Sequence, residues 1–424
     1  MNSLDFVKLA LQFSGMLATA IVFGQALRKF RQPAVVGEMI GGIVLGPTIF
    51  GLVAPGLYEW LFASSAGVAV VRHATIKVGM LFFLFFAGLE VDLDDLKIVG
   101  RKAVLIGLVG TLLPIAAGVG LVYLVPREFW GTAVQKHLLS FALFVGMNLA
   151  NSANPVIARV LMDLGLLNGP IGTLIMTATI VDDLVNWSLF AVILSDIAPS
   201  GSAQGDRLSY SVALTMMFFG ILVVGGRWLG PRLLRLARKY LAWPNGFITV
   251  TCLMVLLAAT ASEALGLHAF LGAFLLGAVL GRNHADRDHK AAHDAIGSFV
   301  LSFFAPIYFI SMGMTTNFLT HFDPWLTTVV LCAACISKVT SVLIGAGLAG
   351  MPLDREAWAI AFGLNARGAT GIILAGVGLA NQVIDERIFV SVVLMAITTS
   401  LMAGPMMTHL LRHRIDVKAP EKIA

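Results

Sequence analysis

The sequence predicts an all-helical, polytopic membrane protein, and three observations carry that prediction. Of 424 residues, 58% are hydrophobic and only 12% are charged, with a mean hydropathy of +0.88. Soluble domains carry about 25% charged residues. The apolar residues fall into blocks of about 20, the length a helix needs to cross a bilayer. Basic residues gather in every second connection, as membrane orientation requires. Little chain is left between the blocks, so 1–424 reads as a single membrane unit with no sizeable soluble domain.

Block length gives about thirteen spans. They begin near Phe6, Ala34, Ala74, Ala103, Leu138, Ile171, Ser211, Phe247, His268, Gly297, Pro324, Trp358 and Ile388. The first runs into Arg28-Lys29-Phe30-Arg31 without a small-residue cleavage site, so no cleavable signal peptide is expected. With the N-terminus outside, the inner connections hold Arg28, Lys29, Arg31, Lys97, Arg101 and Lys102, then Arg227, Arg232, Arg235, Arg238, Lys239, Arg282, Arg287 and Lys290. The tail adds Arg412, Arg414, Lys418 and Lys422, while outer connections offer scattered cases such as Arg72, Arg127, Arg207 and Arg387. An odd number of spans then leaves the C-terminus in the cytoplasm. The net charge of +5 reflects this orientation and implies no nucleic-acid partner. Cys252, Cys332 and Cys335 all lie in apolar segments. The Cys332/Cys335 pair has no companion motif, so it reads as packing and no cofactor is expected.

Weak self-similarity divides the chain. Residues 37–46, GEMIGGIVLG, resemble 271–281, LGAFLLGAVLG; residues 81–89, LFFLFFAGL, resemble 305–313, APIYFISMG. These pair the second span with the ninth and the third with the tenth. An offset of seven, an odd number, makes the two copies cross in opposite directions. Inverted repeats are a mark of secondary transporters, which hold substrate near the bilayer midplane. The fourth to sixth spans should then match the eleventh to thirteenth.

Those spans carry the polar residues. In the fifth, Asn148, Asn151, Ser152, Asn154 and Pro155 interrupt a helix expected to resume at Val156. Its counterpart, the twelfth, contains Gly363, Asn365, Arg367, Gly368, Thr370 and Gly371. Freed backbone groups at membrane depth are tolerated only where they line a cavity or are buried against protein. Two broken helices in corresponding places therefore point to a binding site. Pro155, Asn365, Arg367 and Thr370 read as supports of the crossing, Arg367 being suited to offset the negative, carbonyl ends of half-helices.

The sixth span holds Asp182 and Asp183, with Asn186 one turn on; the eleventh holds the cation Lys338. A carboxylate at the bilayer centre costs about 2.5–3.5 kcal/mol even on lenient scales, so two in succession mark a site that handles charge. Neighbours on a helix point about 100° apart. One aspartate is expected to face Lys338 and the other the space between the broken helices. A carboxylate with Ser and Asn oxygens and carbonyls suits a hard cation, and the same carboxylate can take a proton instead. Mutual exclusion at one site produces exchange. Glu38 and Glu263 read as local hydrogen-bonding or interface residues, and the acidic turn 90–95 and the histidine-bearing loop 283–289 as solvated. No nucleophile-and-base pair or nucleotide loop is present, so no enzymatic activity is expected.

With these residues, the chain resembles the monovalent cation:proton antiporter-2 family, which includes bacterial sodium/proton antiporters and Kef-type potassium-efflux proteins. The resemblance rests on the order of GEMIGGIVLGP at 37–47, FFAGLEVDL at 85–93, Asn154-Pro155, Asp182-Asp183 and Asn365-Ala366-Arg367-Gly368. It implies an inverted-repeat antiporter fold and a homodimer in a plasma (inner) membrane. An ion-translocation part of about 74–195 and 297–411 would move like an elevator against a dimerisation part of about 1–60 and 207–282. Asp183 matches the family's main ligand for the cation or proton, Asp182 the partner of Lys338, and Ser152 and Asn151 the polar ligands of the break; Asn154 in the same break is a further candidate ligand. The double aspartate with lysine resembles the electrogenic sodium/proton branch. Ala369 departs from the Arg-Gly-Glu of many relatives, and the amide-rich break suits a larger ion. Sodium/proton exchange is therefore the leading expectation, with potassium/proton exchange second. A passive cation channel and a sodium-coupled organic-anion symporter are the readings from other classes.

Overall fold

The structure, a computed structural model, describes residues 3–30, 34–63, 66–89, 100–131, 134, 137–164, 166–167, 169–197, 245–265, 269–280, 294 and 296–418, with isolated positions between 217 and 241. Among them regular structure is helical throughout. Eight described helices are long and apolar enough to cross a membrane, with shorter apolar helices beside them. The seventh expected span, from Ser211, falls largely outside the described residues, as do the connections 90–95 and 283–289.

In chain order the helices are α1 (Ser3–Lys29), α2 (Ala34–Leu45), α3 (Ala66–Leu89), α4 (Gly100–Leu124), α5 (Leu138–Ala150), α6 (Asn154–Asp163) and α7 (Pro170–Ile197). They continue with α8 (Asn245–Ala264), α9 (Ala269–Leu280), α10 (Ile296–Gly313), α11 (Pro324–Leu348), α12 (Arg355–Leu364), α13 (Gly368–Ala380) and α14 (Glu386–Lys418). Contacts divide the chain into two compact units. One comprises Met1–Gly24, Gly37–Asp94 and Leu194–Asn317; the other Gln25–Val36, Asp95–Ile193 and Phe318–Ala424. α3 and α10 thus group by contact with the first unit, whereas the resemblance put both with the ion-translocation part.

In the first unit the helix crossings are as close as backbones allow. A Cβ added to Gly42 of α2 would lie 2.2 Å from the Ile310 carbonyl oxygen of α10, and one added to Gly88 of α3 would lie 2.1 Å from the Phe274 carbonyl oxygen of α9. The two crossings exchange under the expected repeat: α2 meets α10 as α9 meets α3. Glu263, expected to act locally, accepts from the Ala269 N–H at 2.8 Å and so covers a free donor at the start of α9. In α10 a π-turn at Val300–Phe304 precedes Pro306, whose ring and missing donor disrupt an ordinary α register.

The second unit is assembled around α4 and α11, which pack on each other and flank α5. α11 begins where Asp323 accepts from the Leu326 N–H at 2.9 Å and Pro324 occupies the first turn. Arg387 of α14 pairs with Asp323 at 2.7 Å and donates to the Phe129 carbonyl at 3.0 Å, tying three segments at one end of the unit. Two spans are broken: α5 stops at Ala150 and α6 starts at Asn154, while α12 stops at Leu364 and α13 starts at Gly368. The first break is shorter than the sequence suggested. Asn148 is helical and the chain resumes at Asn154, not Val156, because proline fits the first turn of a helix, where its missing donor is not needed.

Gly42→Val and Gly88→Val should each lower stability by about 1–3 kcal/mol or more, since the added side chain meets backbone that cannot yield. Gly56→Ala, with nothing within 4 Å of the added carbon, should leave the thermal unfolding temperature in detergent unchanged.

Candidate functional site

The site grows out of the exposed ends of the half-helices. α5 ends with carbonyls that no later turn can satisfy, and in a water-free interior each needs another donor. Cations supply them. Arg367, in the second break, donates from Nε to the Asn148 carbonyl at 3.2 Å and from Nη2 to that of Leu149. The same Nη2 reaches the Ala334 carbonyl of α11 at 2.8 Å. Its Nη1 holds the carbonyl and side-chain oxygens of Asn365 at 3.0 and 2.7 Å. Arg367 is 0% exposed, and every acceptor it meets here is a neutral carbonyl or amide oxygen. Lys338, 1% exposed, takes the last carbonyl of α5, that of Ala150.

The second break is met differently. Ser152 donates to the Leu364 carbonyl at 2.7 Å, the Ala153 N–H to the Ala366 carbonyl at 2.7 Å, and Asn151 Nδ2 to the Arg367 carbonyl at 3.4 Å. α13 then starts at Gly368, whose φ of +25° suits glycine and whose N–H donates to Ser400 Oγ at 2.9 Å. Thr370 is half-buried in the first turn of α13. The side chains of Asn154 and Pro155 lie outside the described residues.

Asp182 joins this frame through Lys338, whose Nζ lies 3.3 Å from Oδ2. Asp182 Oδ1 accepts from Asn186 Nδ2 at 3.2 Å and lies 2.6 Å from the Thr111 hydroxyl of α4. Lys338 and Asn186 thus donate to this carboxylate, and the single proton of the Thr111 hydroxyl is shared between Asp182 Oδ1 and the Gly107 carbonyl, 2.7 Å away. Asp183, the next residue and also buried, points about 100° away around α7. The structure therefore brings Asp182, Lys338, Asn151, Ser152, Asn365 and Arg367 into one connected network, with Asp183 beside it.

Sequence reasoning missed Thr111 and Ser400. A hydroxyl in mid-span was the only available signal for either, and hydroxyls commonly bond to their own helix, as Thr111 also does with the Gly107 carbonyl at 2.7 Å. Three asparagine oxygens complete the picture: Oδ1 of Asn148, Asn151 and Asn186 are buried with no hydrogen-bond partner among the described residues. Such an atom costs about 1–3 kcal/mol when left unsatisfied. Cys335 receives the Asn365 amide at 3.5 Å, while Cys332 is exposed on the surface of α11 rather than packed.

Paired broken helices beside buried carboxylates, in a chain with eight described helices long and apolar enough to cross a membrane, define a membrane protein of the inverted-repeat antiporter fold. The model of the sodium/hydrogen exchanger family, transmembrane region, matches residues 16–413, and the chain belongs to that family. The Na(+)/H(+) antiporter NhaS4 of Synechocystis is 30% identical over 92% of this chain and 94% of its own length. The cation/H(+) antiporter 18 of Arabidopsis thaliana is 32% identical over 95% of this chain but 49% of its own length, so the chain spans about half of that relative. The sodium proton antiporter MjNhaP1 of Methanocaldococcus jannaschii shares the fold with a TM-score of 0.71 at 13% identity, covering 98% of this chain and 99% of that one.

Arg367→Gln should cost about 3 kcal/mol or more, since several buried carbonyls lose their donor at about 1–3 kcal/mol each. Arg367→Lys should recover only part of this, because a point charge cannot span the same acceptors. Thermal unfolding of the purified variants measures both.

Proposed function

We propose that the chain is a secondary active antiporter exchanging protons for a monovalent cation, sodium first, by alternating access. The observation that carries this reading is the pairing of Asp182 with Lys338 at the first break, beside a second buried carboxylate, Asp183. In this reading Asp183 binds either the cation or a proton, with Ser152, Asn151 and Asn154 as polar ligands. Asp182 and Lys338 couple that choice to a second proton. Pro155, Asn365, Arg367 and Thr370 support the crossing.

The unit comprising Gln25–Val36, Asp95–Ile193 and Phe318–Ala424 contains all of these residues. It is proposed as the part that carries the ion, in a homodimer of a plasma membrane with the N-terminus outside and the C-terminus in the cytoplasm. Potassium is the second candidate, favoured by the amide-rich break, since neutral amide oxygens accommodate a larger and less strongly hydrated ion.

In proteoliposomes holding a pH gradient, added sodium should collapse the gradient, and Asp183→Ala should respond no more than protein-free vesicles. Wild-type-like collapse in that variant would remove Asp183 from the site; replacing sodium with potassium or lithium ranks the ions. Lys338→Gln should respond less to membrane potential, since each net charge moved across it is worth about 2.3 kcal/mol per 100 mV. Unaltered voltage dependence would exclude Lys338 as a proton carrier.

A further inference from the structure

We propose that the side-chain oxygens of Asn148 and Asn186 are direct ligands of the transported cation; this rests on the exchange reading above. Each amide is anchored through its nitrogen. Asn148 Nδ2 donates to the Phe144 carbonyl at 2.9 Å, and Asn186 Nδ2 donates to Asp182 Oδ1 at 3.2 Å. Anchoring the nitrogen fixes which way the amide faces, and in both residues the oxygen is left buried with no partner among the described residues. Asn148 is 2% exposed and Asn186 is 0% exposed. Asn151 repeats the pattern, its nitrogen on the Arg367 carbonyl and its oxygen unmatched.

Two fixed points place Asn148 and Asn186 together. Phe144 of α5 and Phe190 of α7 stand with ring centroids 6.2 Å apart. Lys338 bridges the Ala150 carbonyl at the end of α5 to Asp182 of α7. α5 and α7 belong to consecutive spans and run in opposite directions. Asn148 lies one turn beyond Phe144, and Asn186 one turn before Phe190. Both asparagines therefore fall between the two fixed points, on facing turns of the helices. Asn186 is also three residues from Asp183, on the same side of α7.

Neutral oxygens pre-aimed at one region, beside a carboxylate, make a hard-cation site of low ligand charge. Multiply charged ions are usually held by several carboxylates; a single carboxylate with amides matches a monovalent ion. The amides would set ion preference, while Asp183 supplies the charge and exchanges the proton.

The purified full chain provides the test. Lithium, sodium and potassium are each titrated against its thermal unfolding, and the same ions against pH-gradient collapse in proteoliposomes. Asn148→Ala should raise the half-saturating cation concentration roughly tenfold in both assays, by more than it changes the maximal rate. Asn148→Ser, which restores an oxygen, should recover part of the loss and alter the order of the three ions. Asn148 is the cleaner position, since its nitrogen holds only its own helix; Asn148→Ser alone suffices if the alanine variant does not fold. Asn186→Ser should move the cation dependence in the same direction. If the asparagine oxygens serve internal water only, cation dependence will match the wild type in every variant, which overturns this inference alone. No stabilisation of the wild-type protein by any of the ions overturns the exchange reading with it.

Discussion

The constraint on which the second unit depends is the carbonyl end of α5. A helix that stops inside a bilayer leaves acceptors that water cannot reach. Here Arg367 and Lys338 take three of them in succession, at Asn148, Leu149 and Ala150. Cations suit this end of a helix twice over, as donors and as charges opposite the negative pole. Two buried cations also call for balancing charge, and the Asp182 carboxylate lies 3.3 Å from Lys338 Nζ. Architecture thus requires the charges that the chemistry then uses.

The two breaks share an origin as repeats but not a solution. Carbonyls of the first break meet guanidinium and ammonium groups, whereas those of the second meet a hydroxyl, an amide and a backbone N–H. The cation Arg367 belongs to the second break and serves the first. Removing either break would thus strand groups in the other, so the two half-helix pairs act as one element. Such reciprocity gives a site whose parts are fixed to one another, with Thr111 and Asn186 orienting Asp182 from α4 and α7.

Much of this was legible in the sequence, because charge in an apolar chain is conspicuous. Asp182, Asp183, Lys338 and Arg367 announced themselves by cost alone, and the pairing of α2 with α9 and α3 with α10 survived as glycine patterns. What resisted was anything decided by orientation. Whether Asn148 belongs to the break or to the helix before it depends on distant donors, since the last carbonyls of α5 are taken by Arg367 and Lys338. Whether the nitrogen or the oxygen of an asparagine amide is satisfied depends on neighbours far away in sequence, such as the Arg367 carbonyl that takes the Asn151 nitrogen. The contact grouping of α3 and α10 leaves no mark in composition, and their assignment to the ion-translocation part rested on the family resemblance.

The charge balance at the site bears on stoichiometry. With Asp182, Asp183, Lys338 and Arg367 all ionised, the buried set is neutral. In the proposed cycle the proton-loaded state has Asp183 neutral and Lys338 charged, so the set carries one positive charge. In the cation-loaded state Asp183 is ionised against the cation and Lys338 has lost its proton, so the set carries none. Two protons leave for one cation, and neither state buries more than a single net charge. Exchange of one proton for one cation with Lys338 kept charged would leave the same single positive charge in both states, so that cycle would move no net charge. A lysine paired with an aspartate can stay charged in the interior; in the proposed cycle the arriving cation competes for the carboxylates and releases its proton, which a fixed strut would keep. Arg367, whose acceptors are carbonyl and amide oxygens, is the strut.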